Sequence, residues 1–250
     1  MAKPELLIIA GPTASGKTAV AVELALRLDA EVVSADSMQV YRDMDILTAM
    51  PTPEEMRGVP HHMLGVFPPD QKCSAAAYRE LALGRIQDIL ARGKRPIVCG
   101  GTGLYINALT RPLSFAAQGD DAIRAELTRI AEAEGGRERL HDQLKAVDPA
   151  AAARLHPNDV RRVVRALEIY RITGRTQSEQ AALDAQRGDG PFSERVYALD
   201  WPREALYARI DRRVDEMLHS GLVDEVRRLM KNCLLYTSCA SCGGSCGVPN

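Results

Sequence analysis

Hydrophobic and polar positions fall into two regimes along this 250-residue chain. Up to about Pro112, short unbroken apolar runs alternate with amphipathic stretches. Leu6-Leu7-Ile8-Ile9-Ala10 reads as a buried strand, and the run from Ala19 to Leu28 as the helix that follows it. Glu31-Val32-Val33-Ser34 reads as a second short buried strand, beside the first. Residues 42–72 hold no sustained period and are broken by Pro51, Pro53, Pro60, Pro68 and Pro69, which predicts loop. Ser74 is placed to N-cap a helix running to Arg92, with Tyr78, Leu81, Ile86, Ile89 and Leu90 as its apolar stripe and Gly93 as its stop. Pro96-Ile97-Val98-Cys99 predicts a third strand and Leu104 to Leu109 a further helix. Strands alternating with helices argue for a parallel sheet with right-handed crossovers.

After Pro112 the period becomes helical and the composition rich in Ala, Arg and Glu. Helices are expected near 120–134, 137–147, 158–173 and 177–186, with no strand among them. Gly174 closes the third of these, and Thr176 with Glu179 forms a capping box that opens the fourth. Val196-Tyr197-Ala198-Leu199 then reads as a returning strand. A helix with Leu206, Ile210, Val214, Met217 and Leu218 on one face follows, interrupted at Gly221. No internal repeat is visible. From Cys233 to Asn250 no period holds, and the segment resembles translated adapter or out-of-frame sequence, with the native frame stopping near Asn232. The alternative there is a metal site at Cys239-x-x-Cys242, which lacks a nearby histidine or a second matching pair.

The chemistry starts between the first strand and its helix. Gly11-Pro12-Thr13-Ala14-Ser15-Gly16-Lys17-Thr18 has the glycines, lysine and hydroxyl of a phosphate-binding loop in the required strand-to-helix context. Gly11 and Gly16 let the backbone turn so that its N–H groups converge on an anion, and the helix dipole adds to them. Lys17 supplies a mobile charge for terminal phosphate oxygens, and the Thr18 hydroxyl can ligate Mg²⁺. The loop reports a phosphate or diphosphate, not the molecule that carries it. The expected fold is therefore α/β, a P-loop NTPase-like parallel-sheet core over 1–112 and 195–232, with a helical insertion at 113–194.

Asp36 ends the second strand, at the sheet edge where open α/β folds bind ligands. It can hold a metal ion or accept a proton from a nucleophile; the plain alternative is a turn aspartate. Gly100-Gly101-Thr102-Gly103 offers close backbone approach and one hydroxyl, or simply a strand-to-helix turn. Arg161, Arg162 and Arg165 lie largely off the face marked by Val160, Val163, Val164 and Leu167. They form a cationic patch fit for phosphodiesters, or a solvated face paired to Glu168 or Asp159. Arg209 and Arg213, one turn apart after the returning strand, could reach diphosphate oxygens. His61 and His62 suit packing or loop roles. A net charge of −1 excludes a globally basic nucleic-acid protein, so an RNA site must be local. No signal segment or apolar run of spanning length appears, which predicts a cytoplasmic protein without a membrane contact. Cys73 and Cys99 look like small core residues, while the other four of six cysteines crowd into the last eighteen positions.

Together these pieces resemble the tRNA dimethylallyltransferase family from Leu6 to about Met230. The resemblance is carried by the phosphate loop, Ser34-Ala35-Asp36-Ser37 with Gln39-Val40-Tyr41, Met44-Asp45-Ile46, Pro60-His61-His62 and Gly-Gly-Thr-Gly-Leu-Tyr at 100–105. It also rests on His156-Pro157-Asn158-Asp159 with Arg162 and Arg165-Ala166-Leu167-Glu168. It implies transfer of a dimethylallyl group from dimethylallyl diphosphate to N6 of the adenine next to the anticodon (position 37), with release of pyrophosphate. Thr13 to Thr18 would cradle the diphosphate with Mg²⁺, Asp36 would accept the proton, and Lys17, Thr18 and Arg209 would stabilise the leaving group. Asp36, Ser37, Met38 and Gln39, with Arg161, Arg162, Val163, Val164 and Arg165, match tRNA-contacting segments, and Thr102 and Arg124 further contacts to the anticodon stem-loop. A monomer is expected. Leu47-Thr48-Ala49-Met50-Pro51 departs from the family's usual Gly-Thr-Ala-Lys-Pro by losing a lysine. Family members also continue past Met230 with further helices. The rival reading is a P-loop small-molecule or nucleotide kinase.

Overall fold

The computed structural model describes residues 3–114 and 119–231. In chain order these form β1 (Glu5–Ala10), α1 (Lys17–Leu28), β2 (Ala30–Ser34), α2 (Pro53–Met56), β3 (His61–His62), α3 (Ala75–Ala91), β4 (Arg95–Gly100) and α4 (Gly103–Thr110). Then come α5 (Asp121–Glu132), α6 (Gly136–Val147), α7 (Pro149–Arg154), α8 (Val160–Thr173), α9 (Gln177–Gln186), β5 (Ser193–Ala198), α10 (Arg203–His219) and α11 (Leu222–Lys231). The chain divides into two compact units, one of residues 111–190 and one of the segments on either side of it. The tail from Cys233, with its Cys239 and Cys242 pair, lies outside the described residues.

The α/β unit is a five-stranded parallel sheet in the order β3-β2-β4-β1-β5. Alternation along the strands divides its apolar residues between two faces. Leu6, Ile8, Val33 and Val98 pack with Tyr78, Ile86 and Ile89 of α3 and Leu109 of α4. Ile9, Val32, Ile97 and Cys99 pack with Ala21, Val22 and Ala25 of α1. A parallel sheet covered on both faces needs the continuous apolar runs that mark these strands in sequence.

Four features differ from the sequence expectation. The second strand is not beside the first: β4 lies between them, pairing Leu7↔Ile97 on one side and Val32↔Ile97 on the other. Strand order depends on where crossovers land, not on local period. The 42–72 stretch contains α2, opened by a Thr52–Glu55 capping box with Pro53 in the first turn, and β3, which pairs with β2. β5 starts at Ser193, three residues before Val196. Its side chains are largely exposed, with Val196 at 55% and Tyr197 at 53%, and it pairs with β1 alone. α7 fills part of the gap between the helices expected at 137–147 and 158–173, capped by the buried Asp148 through Ala151 N–H. The caps at Ser74, Gly174 and Thr176 stand as read from sequence.

The amino end of the sheet carries a buried charge. Glu31 is 2% exposed and is held by Arg92, by His62 Nε2 at 2.7 Å and by Lys94 at 3.6 Å. Chiefly through the Arg92 hydrogen bonds, its carboxyl drops from the ordinary 4.5 to about 2. A depressed carboxylate contributes stability above its unfolded pKa and loses it as pH falls through the folded one. Glu31→Gln should therefore cost about 2 kcal/mol near neutrality. Urea unfolding measured at descending pH should show wild type and variant converging between pH 4.5 and about 2. An undiminished gap at pH 2 would contradict the ion pair's role.

The helical unit packs Leu127, Leu140, Leu144, Val163, Val164 and Leu167 around one core. Glu168 is fully buried and accepts hydrogen bonds from the Asp120 N–H, Arg124 and Arg165. Among the described residues, no helix is long and apolar enough to cross a membrane.

Candidate active site

The loop after β1 has the backbone its sequence demands. Gly16, at φ 91°, occupies the left-handed region that favours glycine, and Ala14 also has a positive φ of 60°. Ser15 N–H donates to the Pro12 carbonyl at 3.3 Å, and Lys17 Nζ donates to the same oxygen at 2.6 Å. The Ser15 side chain is 3% exposed, and its Oγ has no hydrogen-bond partner among the described residues. Burial lowers the Lys17 pKa from its ordinary 10.5; Cys99 and Asp36 oppose that shift, and Arg213 adds to it. The charges of Asp36 and Arg213 therefore reach the Lys17 ammonium at one edge of the sheet. Burial also pushes the Cys99 thiol up to about 11, which makes it a packing residue and not a nucleophile.

Asp36 follows β2 on the same edge. Its Oδ1 accepts the N–H of Met38 at 2.8 Å and of Gln39 at 3.4 Å, so the carboxylate closes its own turn. Its Oδ2 takes no hydrogen bond from a described residue. The turn is fastened to the loop after β4: Thr102 Oγ1 accepts the Ser37 N–H at 3.0 Å and donates to Ser37 Oγ at 3.3 Å, and Thr102 N–H donates to Ala35 O at 3.1 Å. Gly101 approaches the phosphate loop, where a Cβ would stand 3.4 Å from Gly11 O and 4.0 Å from Lys17 Nζ. Thus β1, β2 and β4 bring Lys17, Asp36 and Thr102 to one place, as crossovers in an open α/β sheet do.

Other residues on that edge are already engaged. Gln39 accepts from Ser34 Oγ at 3.1 Å and donates to the carbonyls of Thr48 and Ala49 at 3.3 and 3.0 Å, so its amide holds its own loop. That loop is fastened again by Glu225 of α11, 3% exposed, whose two oxygens accept the N–H groups of Ile46 and Leu47. Met38 is 46% exposed. Arg209 of α10 donates from Nε to Ala14 O at 2.7 Å. Trp201 donates from its indole N–H to Ser15 O at 2.9 Å, and the Arg209 guanidinium lies over its ring at 4.5 Å. Sequence reading names neither Trp201 nor Glu225. The signal for Trp201 is a lone tryptophan just past a strand end; for Glu225 no local signal exists.

The helical unit brings Arg124 and Arg165 together on the two oxygens of Glu168. Arg162 pairs with Asp159 at 3.2 Å, and Arg161 has no ion-pair partner among the described residues. The pairings to Glu168 and to Asp159 that a solvated arginine face would make are therefore both present. The side chains of Val163 and Val164 are core, 1% and 4% exposed, and offer no surface to a ligand.

A family model described as IPP transferase matches residues 39–245, and one described as isopentenyl transferase matches residues 4–71. The tRNA dimethylallyltransferase of Geobacter metallireducens is 53% identical over 229 residues, covering 91% of this chain and 73% of the relative. That of Pelotomaculum thermopropionicum is 48% identical, with 92% and 72% covered. Among solved structures, the tRNA isopentenylpyrophosphate transferase of Bacillus halodurans aligns with a TM-score of 0.63 at 44% identity, covering 92% of this chain and 71% of that one. A eukaryotic dimethylallyltransferase acting on tRNA aligns at 0.78 and 32% identity, covering 94% and 57%. None of these is a kinase. A glycine loop, an aspartate turn and a threonine clamp on one sheet edge thus sit in a sequence matched by the family along most of its length, and the chain belongs to the tRNA dimethylallyltransferase family.

Proposed function

We propose that the chain transfers a dimethylallyl group from dimethylallyl diphosphate to N6 of adenine 37 in a tRNA anticodon stem-loop, acting as a cytoplasmic monomer. The observation that carries this reading is the placement of Asp36, one carboxylate oxygen uncommitted, at the sheet edge that holds the phosphate loop. The loop N–H groups from Thr13 to Thr18 and the Lys17 ammonium bind the diphosphate. The N6 nitrogen attacks the allylic carbon, the C–O bond to diphosphate breaks, and the amine proton passes to Asp36 Oδ2. Negative charge collects on the leaving pyrophosphate, where Lys17 and Arg209 stabilise it. The Thr18 hydroxyl, in the first turn of α1, makes no hydrogen bond with a described residue and fits a divalent cation as ligand. Mg²⁺ there would neutralise diphosphate charge. The target base must leave its stack to expose the amine, and Arg161 and Arg162 supply phosphodiester contacts.

The test is transfer of label from dimethylallyl diphosphate to an anticodon stem-loop. The expected product is RNA labelled at N6 of adenine 37 with one pyrophosphate released. Phosphoryl transfer from ATP to a small acceptor, with no label in RNA, would instead establish the kinase reading.

A further inference from the structure

The geometry points to Trp201 as a positioning residue that sets Arg209 over the phosphate loop. The inference rests on the diphosphate reading above. Two consecutive loop carbonyls are taken by two side chains from beyond β5: Ala14 O by Arg209 Nε at 2.7 Å, and Ser15 O by the Trp201 indole N–H at 2.9 Å. The guanidinium plane is held against the indole at 4.5 Å, so the arginine is fixed on one edge by a hydrogen bond and on one face by the ring. Nε is spent on the loop, while Nη2 stands 3.6 Å from where a Cβ of Gly16 would be. Gly16 is the residue at which the loop's N–H groups turn into α1. The terminal nitrogens therefore sit at the anion end of the loop, and an arginine there presents a rigid fork to phosphate oxygens.

An arginine on a largely exposed helix has several rotatable bonds, and ordering it has an entropic cost. Trp201 removes that cost before the ligand arrives, because it is anchored to the loop by its own N–H. The role needs both parts of the indole: the π face for the cation and the N–H for the loop. Phenylalanine keeps the first and loses the second; alanine loses both.

The experiment is calorimetric titration of pyrophosphate with Mg²⁺ into the full chain and its variants, with thermal melts as a check on folding. Trp201 is the chain's single tryptophan, so its emission gives a second readout in wild type and in Arg209→Ala. Trp201→Ala should weaken pyrophosphate binding about tenfold and Trp201→Phe about threefold. Arg209→Ala should weaken it by at least as much as Trp201→Ala. The double variant Trp201→Ala with Arg209→Ala should bind no more weakly than Arg209→Ala alone, because the tryptophan acts only through the arginine. A general structural role would make the two losses multiply. Multiplied losses, or unchanged affinity in Trp201→Ala, would overturn the inference and leave the diphosphate reading standing. Wild type that fails to bind pyrophosphate would overturn that reading itself.

Discussion

Asp36→Asn should lower the rate of prenyl transfer in a single turnover by about 10²- to 10⁴-fold, the range expected when a positioned proton acceptor is lost. Asparagine is the informative substitution because of how the turn is built. Its carbonyl oxygen can take over the two hydrogen bonds that Oδ1 accepts from Met38 and Gln39, at 2.8 and 3.4 Å, so the backbone keeps its path. Thr102 still fastens Ser37 from the other side. What asparagine cannot do is accept a proton at the position of Oδ2. The affinity for dimethylallyl diphosphate should therefore change little, because the phosphate loop is untouched. Asp36→Ala removes the turn's closing bonds as well, and its loss should be at least as large, with a fall in thermal stability that Asp36→Asn does not show. A rate within threefold of wild type in Asp36→Asn would remove the carboxylate from the chemistry. It would leave Asp36 as the turn residue that its two backbone contacts already make it.

The parts of this site legible in sequence are those whose physics is local. A glycine loop between a strand and a helix is written in consecutive residues, and so is the turn that Asp36 closes on Met38 and Gln39. The caps at Ser74 and Thr176 are equally local: each hydroxyl accepts an N–H three residues on. The illegible parts depend on residues far apart. β3 is two histidines, with no alternation to detect; it is a strand only because Val32 and Val33 stand beside it. The place of β4 between β1 and β2 follows from crossover geometry. Glu225 reads as one more acidic residue on a polar helix, yet it closes a loop 178 residues earlier through Leu47. The arginines fall between these cases. Helical spacing correctly places Arg161 and Arg162 off the apolar face, but it cannot show that Arg124 and Arg165 converge on one buried carboxylate. Val163 and Val164 match a binding segment by position while their side chains face the core.

Gly100→Ala should be among the most damaging single-methyl changes in the α/β unit. A Cβ at Gly100 would stand 2.2 Å from the carbonyl oxygen of Ala35, 2.3 Å from its carbonyl carbon and 2.8 Å from its Cα. All three are backbone atoms, so no side chain can swing away. The backbone is also pinned on both sides of the clash, by Ala35 N–H to Cys99 O at 2.8 Å and by Thr102 N–H to Ala35 O at 3.1 Å. Admitting the methyl means separating β2 from β4 at their carboxyl ends, which costs about 3 kcal/mol or more through strain and lost backbone bonds. At about 2–4 °C per kcal/mol for a chain of this size, the melting temperature should fall by roughly 10 °C. The same movement carries Asp36, the next residue, so transfer by the folded fraction should drop about 10²-fold, as a displacement near 1 Å does in an oriented site. Gly84→Ala is the matched comparison. It sits inside α3, where an added methyl would meet nothing within 4 Å, and alanine there should stabilise by about 0.5–1 kcal/mol. Urea unfolding of the two variants beside wild type separates the cases: one glycine required by the contact between two strands, the other only tolerated in a helix. Equal stability of the two variants would mean that the close approach of β4 to Ala35 does not hold Asp36 in place.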